Sequence, residues 1–323
     1  MRTNYFISLV LISTFALILF ILPSCQEPPK QQKNYLIGIV NPNQGSRDMN
    51  LGFIEGLARY GYIEGQNTTF ITSTSSFELD QAIQDMVARN VDLIFAVTTP
   101  AAQKAKNAAR GKNIPVIFAM QDPVESGIID SLAKPGSNIT GVQIRGSIPK
   151  AVEWLLNVSP EVKHLFVPVK YDTKAAEQSL EDLKNTLNLL GLKFTLAEVN
   201  DQSELEDALA NIPGDVDAIF LPHSIFISSN TDKLVQAAIE NKLLIGSAAA
   251  QSNLGVIISY GMIPQKTGQQ ASRMAQLILS GRSPEDIPSE VADFFIGVNL
   301  KTARAAGIKI PVTVLQGADI IIR

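Results

Sequence analysis

The sequence predicts an α/β protein built as two similar doubly wound parallel-sheet lobes joined by a hinge. The chain has 323 residues, 46% of them hydrophobic and 18% charged, which is too long for one ordinary small domain and suits two cores of roughly 130 to 150 residues each. Short, wholly apolar runs alternate with amphipathic stretches. A run of that kind reads as a strand covered on both faces, and strands joined through helices form a parallel sheet. The order of these runs then recurs after roughly 125 to 130 residues, which points to two copies of one unit rather than to a solenoid.

The amino end is a targeting element. Arg2 precedes an uncharged apolar run from Phe6 to Leu22, followed by Pro23, Ser24 and Cys25, the charge-then-apolar order of a secretory signal. Leu22-Pro23-Ser24-Cys25 resembles the bacterial lipobox, with Pro23 as a departure from the usual small residue, so residues 1–24 read as a lipoprotein signal peptide and Cys25 as the lipidated residue. An uncleaved anchor is the alternative, since about 17 apolar residues lie at the short limit for a bilayer span. Residues 25–33, with two prolines and three glutamines, cannot bury a face and read as a tether.

The first lobe is expected over 34–141, completed by about 264–290. Strands are expected at 36–40, 68–74, 92–97 and 114–120, with helices at 50–60, 79–89 and 100–110 between them. The turn-rich stretch from Pro135 to Val142 marks a hinge. The second lobe is expected over 142–262, completed by about 291–323. Its strand from His164 to Val169 matches the first strand, Leu190-Gly191 matches Tyr60-Gly61, and Val216-Asp217 matches Val91-Asp92. Lys242 to Ile245 matches Ile114 to Ile117. The apolar runs 254–260 and 294–298 and the amphipathic stretch 265–279 remain to complete the lobes.

Open parallel sheets bind ligands beyond the carboxyl ends of their strands, so the loops there supply the candidate site. In the first copy these are Asn43 and Gln44; then Thr98 and Thr99, either able to cap a helix opened by Pro100, with Ala101 in its first turn; then Gln121 and Asp122, and Gln143 past the hinge. A helix start of this kind suits a carboxylate. In the second copy the loops carry Tyr171, His223, Ser224 and Ser247, of which Tyr171 and His223 offer flat faces with polar edges.

Composition excludes several classes. Lys and Arg number 27 against 31 Asp and Glu, a formal net charge of −4, so nucleic acid is not an expected partner. One Cys and two His allow neither an internal disulfide nor a zinc-finger or multi-His metal site, and no metal or cofactor is expected. The motifs of serine hydrolases, zincins, P-loop NTPases and dinucleotide-binding enzymes do not occur, so no catalytic residues are expected.

A family resemblance rests on Ile37-Gly38-Ile39-Val40, on Gly52 to Leu57 followed by Gly61 to Asn67, and on Thr99-Pro100-Ala101. Ile114 to Phe118, Asp122-Pro123-Val124, Gly136 to Val142 and Val298 to Ala303 extend it. Together these look like the substrate-binding lipoproteins of ABC transporters, the family that includes the tryptophan and tyrosine binders. The resemblance implies a type I periplasmic-binding fold, a monomer that closes on a small solute outside the cytoplasm, and a permease with its ATPase as partners. An aromatic amino acid is the leading solute by that resemblance. Two other readings are a ligand-sensing ectodomain partner of a membrane receptor and a cell-envelope enzyme. In many family members the loop matching Ser247 to Ala250 is acidic, whereas here it is neutral. An ammonium group would then have to meet Asp122 or Asp172, because a buried unpaired charge is costly.

Overall fold

The computed structural model describes residues 33–42 and 47–323. The segment expected as a signal peptide, Cys25, most of the expected tether, Asn43 and Gln44 lie outside the described residues. Tyr35–Arg323 holds together as one unit through its internal contacts.

The chain opens with β1 (Tyr35–Val40), α1 (Arg47–Arg59), β2 (Thr68–Ser73), α2 (Leu79–Ala88), β3 (Leu93–Val97), α3 (Thr99–Ala109), β4 (Val116–Met120) and β5 (Ile139–Gln143). It continues through α4 (Ile148–Val158), β6 (His164–Val169), α5 (Lys174–Leu189), β7 (Lys193–Glu198), α6 (Gln202–Ala210) and β8 (Ala218–Leu221). Next come α7 (Ile225–Ser229), α8 (Thr231–Glu240), β9 (Leu244–Ser247), β10 (Ile258–Met262) and α9 (Pro264–Leu279). The chain closes with β11 (Glu290–Val291), β12 (Phe294–Asn299), α10 (Leu300–Ala306), α11 (Val312–Gly317) and β13 (Ile320–Ile322).

These strands make two sheets, in the orders β11-β5-β4-β3-β1-β2 and β13-β12-β10-β9-β8-β6-β7. Within each, the five strands of the recurring unit follow the same order, β2-β1-β3-β4-β5 in one and β7-β6-β8-β9-β10 in the other. The pairings in the first sheet are all parallel. In the second, β12 runs antiparallel to β10 and departs from the all-parallel expectation. The apolar run from Phe294 looks the same in either direction, so composition could not set its sense.

Both faces of the first sheet are covered, which is why its central strands are apolar throughout. Successive side chains of a strand point to opposite faces. Leu93, Phe95 and Val97 of β3 pack with Met49, Phe53 and Leu57 of α1 and Met274 of α9, while Ile94 and Ala96 pack with Ile83 and Met86 of α2 and Ala102 of α3. Phe53 and Phe95 stack with centroids 4.3 Å apart. The second sheet has its own core, which includes Phe166, Phe220 and Ile245 of its strands with Val152 and Leu155 of α4 and Leu183 of α5.

The repeated Val-Asp dipeptide has a structural cause. Asp92, just before β3, accepts a hydrogen bond from the Leu36 N–H at 2.8 Å, and Asp217, just before β8, accepts from the N–H groups of Lys163 and His164 at 2.8 and 2.9 Å. Each aspartate ties the start of the third strand of its unit to the start of the first. Helix starts are fixed by side-chain caps at Ser147, Thr173, Asp201, Ser224 and Asn299.

The chain passes between the sheets after β5, again through Ile263 between β10 and α9, and again between β11 and β12. Helix α9 lies against α1 so closely that glycines form the contact. A Cβ on Gly268 would run into the backbone of Met49 and Phe53, and one on Gly52 into the backbone of Gln265.

Candidate functional site

In a sheet ordered 2-1-3-4-5 the connections leave in opposite directions from the first and third strands, and the gap that opens beyond their carboxyl ends is where such folds receive ligands. Here that gap lies beyond β1 and β3 in one sheet and beyond β6 and β8 in the other. Arg145, in the segment leaving β5, shows that the two ends adjoin. Its guanidinium donates to Asp122, after β4, at 3.0 Å and to Asp182, on α5, at 3.5 Å, with Glu125 at 3.8 Å.

Thr98 follows β3 and stands at the start of α3. Its backbone is held by Thr98 N–H donating to the Ala119 carbonyl and by the Ala102 N–H donating to the Thr98 carbonyl, both at 3.0 Å. The dihedrals, φ 90° and ψ 153°, are a conformation that side chains with a Cβ rarely adopt. The expectation that Thr98 or Thr99 caps this helix is corrected: the Thr98 side chain makes no capping bond, and its hydroxyl oxygen is buried without a partner. Thr99, Pro100 and the buried Ala101 form the first turn, whose positive end points into the gap.

Asp122 has a left-handed backbone, φ 44°, tolerated by aspartate, and its carboxylate belongs to Arg145. The Asp122 hydrogen bond in turn keeps that guanidinium above its already high ordinary pKa. Gln121 beside it is partly buried. Gln143, also partly buried, accepts the Ala292 N–H at its backbone carbonyl, 2.8 Å, which pins the third passage between the sheets to the first.

Beyond β6 and β8, Asp172 joins the two loops. Its Oδ2 accepts from the Ser224 hydroxyl at 3.0 Å and the Phe226 N–H at 2.8 Å, and Ser224 caps α7 by accepting from the Ile227 N–H. The Asp172 Oδ1 atom is buried and has no partner. Tyr171 turns aside, with its hydroxyl donating to Glu198 at 3.3 Å. Ser247 is closed off from ligands: its hydroxyl donates to Gln251 at 2.6 Å and accepts from the Ala249 N–H at 3.0 Å.

His223 follows β8 and lies close to Gly146, in the segment that leaves β5. Its backbone N–H donates to the Ser179 hydroxyl at 3.0 Å, and a Cβ on Gly146 would stand 3.6 Å from His223 Nε2 and 2.9 Å from the Phe294 ring. Phe294 stacks on Tyr260 with centroids 5.5 Å apart. His223 is half-buried, and enough protein surrounds its imidazole that loss of hydration lowers its pKa from the ordinary 6.5. The unfolded chain therefore takes up this proton near pH 6.5, and the folded chain only at lower pH. Stability from neutral His223 is whole above about pH 6.5 and is lost as pH falls below it. The urea midpoint of the wild-type protein is expected to fall more between pH 7.5 and 5.5 than that of His223→Gln. Equal falls would contradict it.

Arg145, Asp182 and Ser179 are site residues that sequence reasoning missed. The one signal was a lone arginine shortly after the turn-rich stretch Pro135 to Val142. Among the described residues, no group of three or more His, Cys, Asp or Glu could hold a metal ion, and no helix is long and apolar enough to cross a membrane.

Comparison with known proteins agrees with this architecture. The family model for ABC transporter substrate binding proteins matches residues 39–322. A tyrosine-binding protein of Clostridioides difficile is 30% identical over 269 residues, covering 82% of this chain and 77% of its own. Among solved structures, a domain from Streptococcus pneumonia in complex with L-Trp superposes with a TM-score of 0.71 at 26% identity, covering 90% of this chain and 100% of that one. The ligand-free, open structure of a substrate-binding protein with adhesive properties from Clostridium difficile gives 0.74 at 24% identity, covering 90% and 99%. The matching order of strands in two sheets, the gap at their carboxyl ends and a family match across nearly the whole described chain place this protein in the ABC transporter substrate-binding protein family.

Proposed function

We propose that the protein is the lipid-anchored, extracytoplasmic receptor of an ABC importer, and that it captures a small carboxylated or aromatic solute, an aromatic amino acid before others. The two sheets act as lobes that close over the solute, and the closed monomer is what the permease and its ATPase receive. The observation that carries the solute reading is Thr98. A buried hydroxyl without a partner, on a backbone held in a rarely adopted conformation at a helix start, is an arrangement that receives an anionic group. The names of the tyrosine-binding relative and of the L-Trp complex support an aromatic amino acid. The pattern Leu22 to Cys25 supports the anchor. The receptor reading carries no chemical step and needs no cofactor.

The test begins with the purified protein, denatured to release whatever it carries, and mass spectrometry of the released compound. Thermal titration with tyrosine, tryptophan and phenylalanine comes next. A solute that binds only the folded state stabilises it by about 2.7 kcal/mol at a hundredfold excess over Kd, so a clear upward shift is expected from at least one. No shift from any of them at millimolar concentration, together with recovery of an unrelated compound, would overturn the solute class. For the anchor, intact-mass measurement of the membrane-extracted protein is expected to show a chain that begins at an acylated Cys25. A chain that keeps residues 1–24 would favour an uncleaved span.

A further inference from the structure

Of the carboxylates around the carboxyl ends of the strands, four that lie close to the Arg145 and Tyr171 side chains are already engaged. Asp122, Glu125 and Asp182 share Arg145, and Glu198 accepts from the Tyr171 hydroxyl. Asp172 differs. One of its oxygens holds the loops after β6 and β8 together, while the other is buried and, alone among the buried carboxylate oxygens of the described residues, has no hydrogen-bond partner. The nearby Lys170 does not serve it. That ammonium donates to the Asn200 carbonyl at 2.5 Å and lies 4.6 Å from the centre of the Phe226 ring.

A buried carboxylate oxygen left without a donor forfeits the hydration it had in water, and a charged donor restores the most. Thr98 and the start of α3 are suited to a negative group and cannot meet that need. The loop after β9 cannot supply an acid in its place, because Ala248, Ala249 and Ala250 are neutral and the Ser247 hydroxyl is engaged. On the strength of the receptor reading above, we infer that Asp172 Oδ1 accepts a hydrogen bond from the ammonium group of the solute. The bound compound is then a zwitterion, read at its carboxylate from the β3 side and at its amine from the β6 side, and an acid of the same shape without the amine is rejected. Asp122, the other acid that the sequence offered for this role, already has its charge paired with Arg145.

Asp172→Asn separates this role from the structural one. The amide oxygen can still accept from Ser224 and Phe226, while an N–H group replaces Oδ1, so the fold is kept and the acceptor becomes a donor. Calorimetric titration of wild-type and Asp172→Asn protein would use L-tyrosine and L-tryptophan against 3-(4-hydroxyphenyl)propionate and 3-indolepropionate. Wild type is expected to prefer the amino acids by roughly 10- to 100-fold, the range of a hydrogen bond to a charged group. Asp172→Asn is expected to lose that preference by weakening amino-acid binding alone. Wild-type protein that binds acids with and without the amine alike, or a variant that keeps the full preference, overturns the assignment while leaving the receptor reading intact. Binding of neither class to wild type overturns the assignment together with the aromatic amino-acid reading on which it rests. The wild-type comparison stands even if the variant fails to fold.

Discussion

Gly268→Ala is expected to destabilise the protein by about 3 kcal/mol, at the upper end of what added methyl groups cost in a close-packed interior, and to lower the thermal midpoint by roughly 6 to 12 °C. Within an ordinary helix the same change stabilises by up to about 1 kcal/mol, because alanine is the better helix former. The sign reverses here because the added Cβ would meet the carbonyl of Met49 and the amide nitrogen of Phe53, backbone atoms that no rotamer change can move. Gly52→Ala meets the backbone of Gln265 and should behave alike. Gly56→Ala meets the Ser272 side chain, which can rotate, so its effect should be smaller. Urea midpoints of the three variants measure the order directly. If all three were more stable than wild type, the close approach of α1 and α9 would be wrong.

Thr98→Gly is expected to shift stability and binding in opposite directions. A side chain held in this region of φ and ψ costs about 1 to 3 kcal/mol. Glycine removes that cost but returns roughly 0.5 to 1 kcal/mol through the greater freedom of its unfolded chain. A net gain of about 1 kcal/mol should appear as a higher urea midpoint. The same substitution removes the hydroxyl aimed at the anionic end of the solute, and affinity should fall roughly tenfold. Thr98→Ser, which keeps the hydroxyl on the strained backbone, should bind like wild type and gain nothing in stability. A glycine variant that binds as tightly as wild type would show that the strain serves no ligand.

Much of the fold was readable because it depends on local pattern. Strands buried on both faces must be apolar, so β3 and β6 are visible as Leu93 to Val97 and His164 to Val169, and the recurrence of Val-Asp proved to mark aspartates that clamp each sheet. Side-chain commitments were not readable. Asp122 advertises a carboxylate, but its partner Arg145 lies 23 residues away. Ser247 advertises a hydroxyl, which Gln251 takes. Tyr171 advertises a flat ring, yet its orientation is set by Glu198 on the neighbouring strand. The Thr-Pro sequence announced a helix start correctly, while the backbone twist that frees the Thr98 hydroxyl arises from the tertiary fit of the turn after β3 and leaves no trace in residue type.

The glycine contact between α1 and α9 has a consequence for the growing chain. Met49, Phe53 and Leu57 are fully buried only when Ala271 and Met274 lie over them, and those residues are made more than 200 positions later. At about 5 to 20 residues per second, the apolar side of Arg47–Arg59 waits roughly 10 to 40 s for its cover. For that interval the nascent polypeptide must either remain unfolded or be held by a chaperone. The order in which the chain is made thus postpones completion of the core beneath α1 until most of the polypeptide exists.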